Sequence, residues 1–393
     1  MELVKFINTH KNWEELLKQS PYNLIIQKYE GLILFKYVQF SSHFSEKIVQ
    51  ESRGVILAAD TFDVVCRPFN KFFNYGESEA YDINYSNASI VEKLDGSIIK
   101  VYYDSVNYIW RVATNGTIDA SLADTCIEGI TFRDLFNDAI QNRFDEFTAH
   151  LDVDQTYLFE LIHPISRVVV DYGNLKQLVF IGMRSTLNGT DWNIFSEFVT
   201  TLYERKFSDF GIRWPKIYNT VKEINELSEY ADELNETGTT FEGFVVTEFN
   251  GLFVNGRVKI KSPEYLKFHR LTGGKGVSVN MIQILLDGET EEFEIYMDRL
   301  PAYITDEYRN LRNLYNEFVS SVTQTVNHFL TIRNDFTGSE SDIRKLIAIE
   351  LQTDYPRWML GFVMNSVFGG KDVNNIIQDF GAKKLYNILT SMG

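Results

Sequence analysis

Hydrophobic and polar positions divide the chain into a strand-rich part and a helical part. From about residue 23 to residue 270, short apolar or alternating runs are broken by turn residues, which is typical of strands. The clearest runs are Leu24–Ile26, Leu32–Phe35, Gly54–Leu57, Ile98–Tyr102, Tyr157–Leu161, Leu178–Ile181 and Gly243–Val246. Residues 119–150 and 191–210 favour helices, as do the first twenty residues. This mixture predicts an α+β domain built on antiparallel sheet.

The pattern changes after residue 270. From residue 304 to residue 330, apolar residues recur at spacings of three and four, which predicts a long amphipathic helix. Residues 342–352 and 374–391 also favour helices. The sequence therefore predicts two domains, an α+β domain over residues 1–270 and an all-α domain over residues 271–393.

Composition narrows the class of protein. The chain has 393 residues, of which 44% are hydrophobic, so two folded domains are expected. The two cysteines form no paired motif, so we expect no zinc site and a reducing, cytoplasmic setting. No apolar run reaches the roughly 20 residues that a membrane helix needs, so no membrane span is expected.

The net charge of −16 argues against a general nucleic-acid coat but allows a local basic groove. The strongest candidates for such a groove are Arg257, Lys259, Lys261, Lys267, His269, Arg270 and Lys275. A solvated strand followed by a linker would explain these basic residues equally well.

The tetrapeptide Lys93–Gly96 (Lys-Leu-Asp-Gly) carries the most chemistry. A lysine amine, with an ordinary pKa of about 10.4, is a good nucleophile at neutral pH only when that pKa is lowered. Lys259 and Lys261 alternate on a predicted strand and therefore face the same side. We expect them to lower the pKa of Lys93 and to hold a phosphate. Gly96 would let a ligand approach the backbone closely.

Each signal also has an ordinary structural explanation. The tetrapeptide could be a hairpin turn, and the two downstream lysines could lie on a solvated edge strand. Glu160 and Glu242 lie in apolar runs, so each needs a partner. That partner is a metal ion or a ribose hydroxyl in the functional case, and an arginine or a helix cap in the structural case.

The order of these motifs resembles that of the covalent nucleotidyltransferases, which comprise ATP-dependent DNA ligases, RNA ligases and mRNA capping enzymes. Lys93–Gly96 is similar to their first motif, Phe159–Leu161 to the third, Glu242–Val245 to the fourth and Lys259–Lys261 to the fifth. The resemblance implies an ATP-grasp-like ligase domain as the fold of residues 1–270.

Within this superfamily the chain resembles the bacteriophage T4 RNA ligase 1 type. An Arg-Gly pair at Arg53 and a Lys-Phe-Phe-Asn segment at Lys71–Asn74 precede the first motif, as in that type. Further similar segments are Phe35–Tyr37, Arg67–Pro68, Ser166–Val169 and Lys261–Tyr265. The helical C-terminal part also agrees with this type, whereas DNA ligases and capping enzymes carry a small β-barrel there.

The resemblance implies an ATP-dependent RNA ligase, encoded by a phage, that repairs broken RNA such as tRNA. A monomer is the default expectation. The implied catalytic residues are Lys93, Glu160, Lys259 and Lys261. The implied nucleotide-binding residues are Tyr37, Arg53, Lys71, Phe73, Asp95, Gly96, Glu160, Glu242, Lys259, Lys261 and Tyr265. The implied anchors for Mg²⁺ or Mn²⁺ are Asp95, Glu242 and Glu291.

One position departs from the T4 type. Its members place a lysine before the glycine downstream of the first motif, where this chain has Asn115. One cationic contact to nucleotide or RNA is therefore missing, and we expect Arg111 to compensate. Two alternatives stay open: a catalytically inactive RNA-binding relative, and a nucleotidyltransferase of the DNA ligase or capping class.

Overall fold

The computed structural model describes residues 1–38, 41–218, 226–227, 230–231, 241–262, 277–287 and 302–392. The chain divides into two compact units, Met1–Leu266 and Lys267–Gly393.

The described strands of the first unit form three four-stranded antiparallel sheets, which confirms the α+β prediction. The first sheet has the order β1 (Ile25–Tyr29), β2 (Leu32–Lys36), β3 (Arg53–Ala58), β4 (Val64–Cys66). The second has the order β10 (Ile217–Tyr218), β5 (Ala88–Lys93), β11 (Gly243–Asn250), β12 (Phe253–Lys261). The third has the order β7 (Ile109–Thr114), β6 (Ser97–Asp104), β8 (Gln155–Ile162), β9 (Gln177–Ser185).

The helices of this unit are short. They are α1 (Glu2–Thr9), α2 (Trp13–Leu17), α3 (Lys47–Glu51), α4 (Phe132–Ala139), α5 (Phe144–Thr148) and α6 (Glu197–Ser208). Helix α4 begins with a capping box, in which Thr131 and Asp134 each accept a hydrogen bond from the backbone of the other. The predicted helical stretch 119–150 is therefore two separate helices.

Side-chain alternation along β2 explains how the layers stack. Ile33 and Phe35 face α1–α3, whereas Leu32 and Leu34 pack towards Tyr102 of the third sheet. The opposite face of the third sheet is covered by α4–α6. The first and third sheets thus lie face to face between two layers of helices.

The described residues of the second unit form helices and no strand. They are α7 (Val277–Asp287), α8 (Ala302–Asp335), α9 (Glu340–Asp354), α10 (Met359–Val367), α11 (Val373–Phe380) and α12 (Ala382–Met392). Helix α8 contains the predicted amphipathic stretch. Gly381, with φ of +80°, separates α11 from α12 where one helix was predicted. None of the described helices is long and apolar enough to cross a membrane.

The core between the third sheet and its helices predicts a large effect of truncating Phe207. This side chain is fully buried in α6, and its ring lies 5.0 Å from that of Phe180 and 5.7 Å from that of Phe159. We expect Phe207→Ala to lower the free energy of unfolding by about 3–5 kcal/mol, because a large cavity is left. Urea unfolding of the full chain, followed by circular dichroism, measures this.

The matched control is Leu187→Ala, because Leu187 is 74% exposed. Its effect should stay within about 0.5 kcal/mol. Equal effects of the two substitutions would mean that Phe207 is not part of the core.

Candidate active site

A cleft lies between the second and third sheets of the first unit. It holds a cavity of about 160 Å³. Five of the residues predicted from the sequence line it together, namely Arg53, Lys93, Glu160, Lys259 and Lys261. The two lysines of β12 therefore share one face, as their alternation predicted, although β12 is an edge strand of the described sheet.

The tetrapeptide at Lys93 joins two sheets and is not a hairpin. Lys93 pairs with Gly243 in the second sheet, whereas Ser97 pairs with Leu161 in the third. A Cβ atom on Gly96 would lie 2.5 Å from the carbonyl oxygen of Leu161, so only glycine fits. Gly96 thus serves a close approach between strands, where the sequence suggested an approach by a ligand.

A buried carboxylate holds the lysine of this tetrapeptide. The Nζ atom of Lys93 lies 2.6 Å from Oε1 of Glu242, and the Nζ atom of Lys261 lies 3.2 Å from the same oxygen. Gly243 makes this possible, since it pairs with both lysines in register and has no room for a side chain. The sequence predicted lysines beside Lys93, and the structure adds the carboxylate of Glu242 between Lys93 and Lys261.

Glu160 is a buried acid at the floor of the cleft. Its Oε1 atom accepts a hydrogen bond of 3.0 Å from the backbone N–H of Gly96. Burial raises the pKa of Glu160 to about 8, and the nearby charge of Lys93 opposes this only in part. Glu160 is therefore largely protonated at neutral pH and can both donate and accept hydrogen bonds.

Asp95 is bound by backbone amides. Its Oδ2 atom accepts hydrogen bonds of 2.7 Å from the N–H groups of Val169 and Val170, and its own N–H donates to the hydroxyl of Tyr172. Asp95 therefore fastens the segment that follows β8 to the tetrapeptide. It does not line the cleft.

The predicted metal anchors do not form a cage of carboxylates. Oxygen atoms of Asp95 and Glu242 already accept from amides and ammonium groups, and Glu291 lies outside the described residues. Among the residues that the structure describes, no group of three or more acidic, histidine or cysteine side chains is placed to hold a metal ion. The carboxylates in the described part of the chain suit a metal held mainly by phosphate oxygens and water.

Three cations lack a carboxylate partner in the described part of the chain and face aromatic rings instead. Arg53 and Lys259 line the cleft, and Lys71 lines the neighbouring pocket. Arg53 lies 5.4 Å and Lys259 4.8 Å from the ring of Phe72, and Lys71 lies 4.2 Å from the ring of Phe44. Burial, followed by the charge of Arg53, lowers the pKa of Lys259 well below its ordinary value. An anion that binds here would stabilise the charged lysine.

Two predicted nucleotide-binding residues support these cations without lining the cleft. The ring of Tyr37 lies 5.1 Å from that of Phe44 and contacts Lys71. The backbone oxygen of Phe73 accepts a hydrogen bond of 2.9 Å from the N–H of Lys259. Tyr265 lies outside the described residues, as do the basic residues of the stretch 267–275.

Sequence reasoning missed the apolar wall of the cleft. Trp192, Ile194, Phe195 and Phe249 form much of this wall. They lie far from the motifs in the chain, and their pattern alone is that of core residues. Arg257 also lines the cleft and is paired with Asp191 at 2.5 Å, so the basic stretch begins with a neutralised residue.

The expectation that Arg111 replaces the missing lysine at Asn115 is wrong. The side chain of Arg111 is buried and forms ion pairs with three carboxylates. They belong to Asp104 at 2.7 Å, Asp119 at 3.1 Å and Glu30. Because its charge is fully used there, Arg111 is not available to a ligand.

One cleft thus brings together the amine of Lys93, cations without a carboxylate partner among the described residues, and an apolar wall, a combination that suits the class of proteins that bind a nucleoside phosphate. A comparison with known families specifies the class. The family model for T4-type RNA ligases, described as RNA ligase, matches residues 51–265. The chain belongs to this family of enzymes, which confirms the resemblance seen in its motifs.

Individual relatives agree with this family. The RNA ligase of Rhodothermus phage RM378 is 25% identical over 380 residues, which cover 82% of this chain and 85% of the phage protein. A protein of Autographa californica nuclear polyhedrosis virus, provisionally named a bifunctional polynucleotide kinase/RNA ligase, is 28% identical over 320 residues. That match covers 76% of this chain but 43% of the viral protein, so the chain spans less than half of it. Among solved structures, an archaeal ATP-dependent RNA ligase aligns over 80% of each chain, with 13% identity and a TM-score of 0.42.

The raised pKa of Glu160 predicts how stability depends on pH. Between its ordinary pKa of 4.5 and about 8, the folded protein keeps a proton that the unfolded chain has lost. The contribution of Glu160 to the free energy of unfolding is therefore full below pH 4.5 and is lost as the pH rises through 8. We expect Glu160→Gln to become steadily more stable relative to the wild type from pH 5 to pH 9. Urea unfolding at a series of pH values measures this.

The control for this series is Glu15→Gln, on the exposed surface of α2. It should follow the wild type in parallel at every pH. A parallel curve for Glu160→Gln as well would show that Glu160 does not hold the proton.

Proposed function

We propose that this protein is an ATP-dependent RNA ligase. It joins an RNA 3′-hydroxyl to an RNA 5′-phosphate through a lysyl-AMP intermediate on Lys93 and an adenylylated RNA. The observation that carries the proposal is the meeting of Lys93, in one cleft, with Arg53 and Lys259, which have no carboxylate partner among the described residues.

The two-unit organisation supports a division of labour. We assign adenylyl transfer to a domain over residues 1–270, of the ATP-grasp-like ligase type, and RNA specificity to the helical domain over residues 271–393. The compact units Met1–Leu266 and Lys267–Gly393 agree with this division.

In the first step the amine of Lys93 attacks the α-phosphorus of ATP. Before the attack the ammonium group gives up a proton, and Oε1 of Glu242, 2.6 Å away, is in position to accept it. A nitrogen–phosphorus bond then forms while the bond from the α-phosphorus to the bridging oxygen breaks. The electron pair of that bond leaves with pyrophosphate.

The cations of the cleft stabilise the negative charge on the transferred phosphate. Lys259 and Lys261 lie on the same face as Lys93, so they suit the α-phosphate. Arg53 and Lys71 suit the outer phosphates. When phosphate oxygens replace water beside Lys259, its lowered pKa rises again, so the lysine binds the phosphate as a full cation.

The remaining walls suit the nucleoside. The apolar surfaces of Trp192, Ile194, Phe195 and Phe249 match the faces of a purine base. The protonated carboxyl of Glu160 suits a ribose hydroxyl, because it offers both a donor and an acceptor.

We take Mg²⁺ to be the divalent metal that accompanies ATP, with Mn²⁺ as a substitute. When bound to the phosphates, the metal neutralises part of their charge. Glu242 and Glu291 would contact it through water, because Mg²⁺ keeps several of its waters. Asp95, which backbone amides hold outside the cleft, is not given this role.

The following steps complete the joining of RNA. AMP passes from Lys93 to the 5′-phosphate of one RNA end, and the 3′-hydroxyl of the other end then displaces AMP. Repair of broken RNA, with tRNA as a substrate, is the proposed setting, and the enzyme acts as a monomer in the cytoplasm of the host cell.

Two other functions are distinguishable. Asn115 favours an inactive RNA-binding relative, because a cation of the T4 type is missing there. Such a protein would bind RNA without forming an adenylate. A member of the DNA ligase or capping class would prefer nicked duplex DNA, or GTP, over single-stranded RNA and ATP.

The proposal predicts that Lys93 alone accepts AMP. Incubation with ATP labelled on the α-phosphate should leave label on the denatured wild-type chain. Lys93→Ala should lose this label completely, because the bond to AMP is made by the removed amine. Autoradiography of the denatured chain measures it, and single-stranded 5′-phosphate RNA then tests joining.

Lys47→Ala serves as the control, since Lys47 is an exposed lysine of α3. It should be labelled like the wild type. Label on a folded Lys93→Ala protein would rule out the assigned nucleophile. An unlabelled wild type shown to be free of bound AMP would favour the inactive relative.

A further inference from the structure

Lys36 lies beside Arg53 at one end of the first sheet. The two residues pair across β2 and β3, where Gly54 forms a bulge with φ of +85°. Residues paired across antiparallel strands point to the same face. That face is the one on which Leu34 packs towards the third sheet. Because Arg53 lines the cleft, Lys36 points to the same corner of the molecule.

The ammonium group of Lys36 lies against the turn after β7. A Cβ atom on Gly116 would be only 3.3 Å from its Nζ atom. Lys36 is half-buried, and no hydrogen bond or ion pair joins its ammonium group to any residue in the described ranges. Its charge therefore lies next to Asn115, where the T4 type has a lysine, and has no partner among the described residues.

A third cation, Lys100, supports this corner from below. Its side chain is fully buried, and its Nζ atom donates a hydrogen bond of 2.5 Å to the carbonyl oxygen of Gly54. A Cβ atom on Gly54 would lie 2.9 Å from that Nζ and 2.7 Å from the carbonyl oxygen of Asn115. Lys100 thus braces the bulge that carries Arg53 and is itself closed to a ligand.

The corner has more positive charge than the protein neutralises. Within the described part of the chain, none of Lys36, Arg53 and Lys100 has a carboxylate partner. Burial, with smaller contributions from the charges of Arg53 and Lys36, lowers the pKa of Lys100 to about 8. The Oδ1 atom of Asn115 is buried and has no hydrogen-bond partner among the described residues. An anion would neutralise these cations. It would also satisfy Oδ1 of Asn115 if it offered a hydrogen-bond donor or brought a bridging water.

We propose that Lys36, together with Arg53, binds a phosphate group at this corner and takes the place of the lysine that Asn115 replaces. The inference rests on the proposed function, since the phosphate belongs to a substrate of the ligase. Two substrates carry this chemistry, the outer phosphates of ATP and the 5′-phosphate of RNA. Charge at the corner is thus supplied from β2 where the T4 type supplies it from the turn after β7.

The test removes the positive charge of Lys36 and then restores a positive charge at position 115, in the turn after β7. Lys36→Met keeps the apolar stem and should lower kcat/KM about ten- to hundredfold in at least one step, the range for losing one hydrogen bond to a charged group. Adding Asn115→Lys to Lys36→Met should recover most of this loss. Lys47→Met, on the exposed face of α3, should behave as the wild type.

Two single-turnover measurements separate the sources of the phosphate. The first follows formation of the enzyme adenylate from labelled ATP, and the second follows transfer from preformed enzyme adenylate to 5′-phosphate RNA. A loss in the first alone assigns Lys36 to the outer phosphates of ATP. A loss in the second alone assigns it to the RNA 5′-phosphate, and a loss in both gives it a role in each.

Unchanged rates in both steps would overturn the inference and leave the proposed function standing. A loss of activity that Asn115→Lys does not recover would also overturn the inference, because a positive charge at this turn would then not be what the reaction needs. A fall in melting temperature that accounts for the loss would equally overturn it, because Lys36 would then be structural. Failure of the wild type to form an adenylate is a different result and removes the proposed function itself.

Discussion

The close approach of Gly96 to β8 is the constraint on which the site depends. The chain leaves the second sheet at Lys93 and enters the third at Ser97, with only Leu94–Gly96 between them. The backbone N–H of Gly96 donates a hydrogen bond to Glu160, and a Cβ atom on Gly96 would collide with the carbonyl oxygen of Leu161. The same short segment therefore joins two sheets, directs Lys93 into the cleft and seats Glu160. A side chain at position 96 would separate the sheets and, with them, the residues of the site.

Around this junction the protein concentrates positive charge, although its net charge is −16. One buried carboxylate, Glu242, is shared by Lys93 and Lys261. Arg53 and Lys259 face the ring of Phe72 instead, so aromatic surface and burial hold them in place. A cleft whose cations were all paired with carboxylates would attract phosphate weakly. Among the described residues no carboxylate pairs with Arg53 or Lys259, so a phosphate ligand would supply their countercharge.

The position of a charge in space matters more for phosphate binding than its position in the chain. The T4 type has a lysine where this chain has Asn115, and Arg111 on the same strand is consumed by three carboxylates. Lys36, from a strand far away in the sequence, brings an ammonium group to the same turn. At the aligned position, Asn115, the lysine of the T4 type is missing. The packing of the first sheet on the third brings Lys36 to the same turn.

Local patterns in the sequence determined the elements and the order of the motifs. Periodicity predicted the strands and helix α8, and alternation placed Lys259 and Lys261 on one face, because both depend on near neighbours in the chain. The structural role of Lys93–Gly96 as a link between two sheets was decided only by tertiary structure, because the residues that pair with Lys93 and Ser97, namely Gly243 and Leu161, lie far along the chain. The same holds for the apolar wall of the cleft and for the partners of its buried charges. Their surroundings are created when three sheets pack together, and no short segment contains that information.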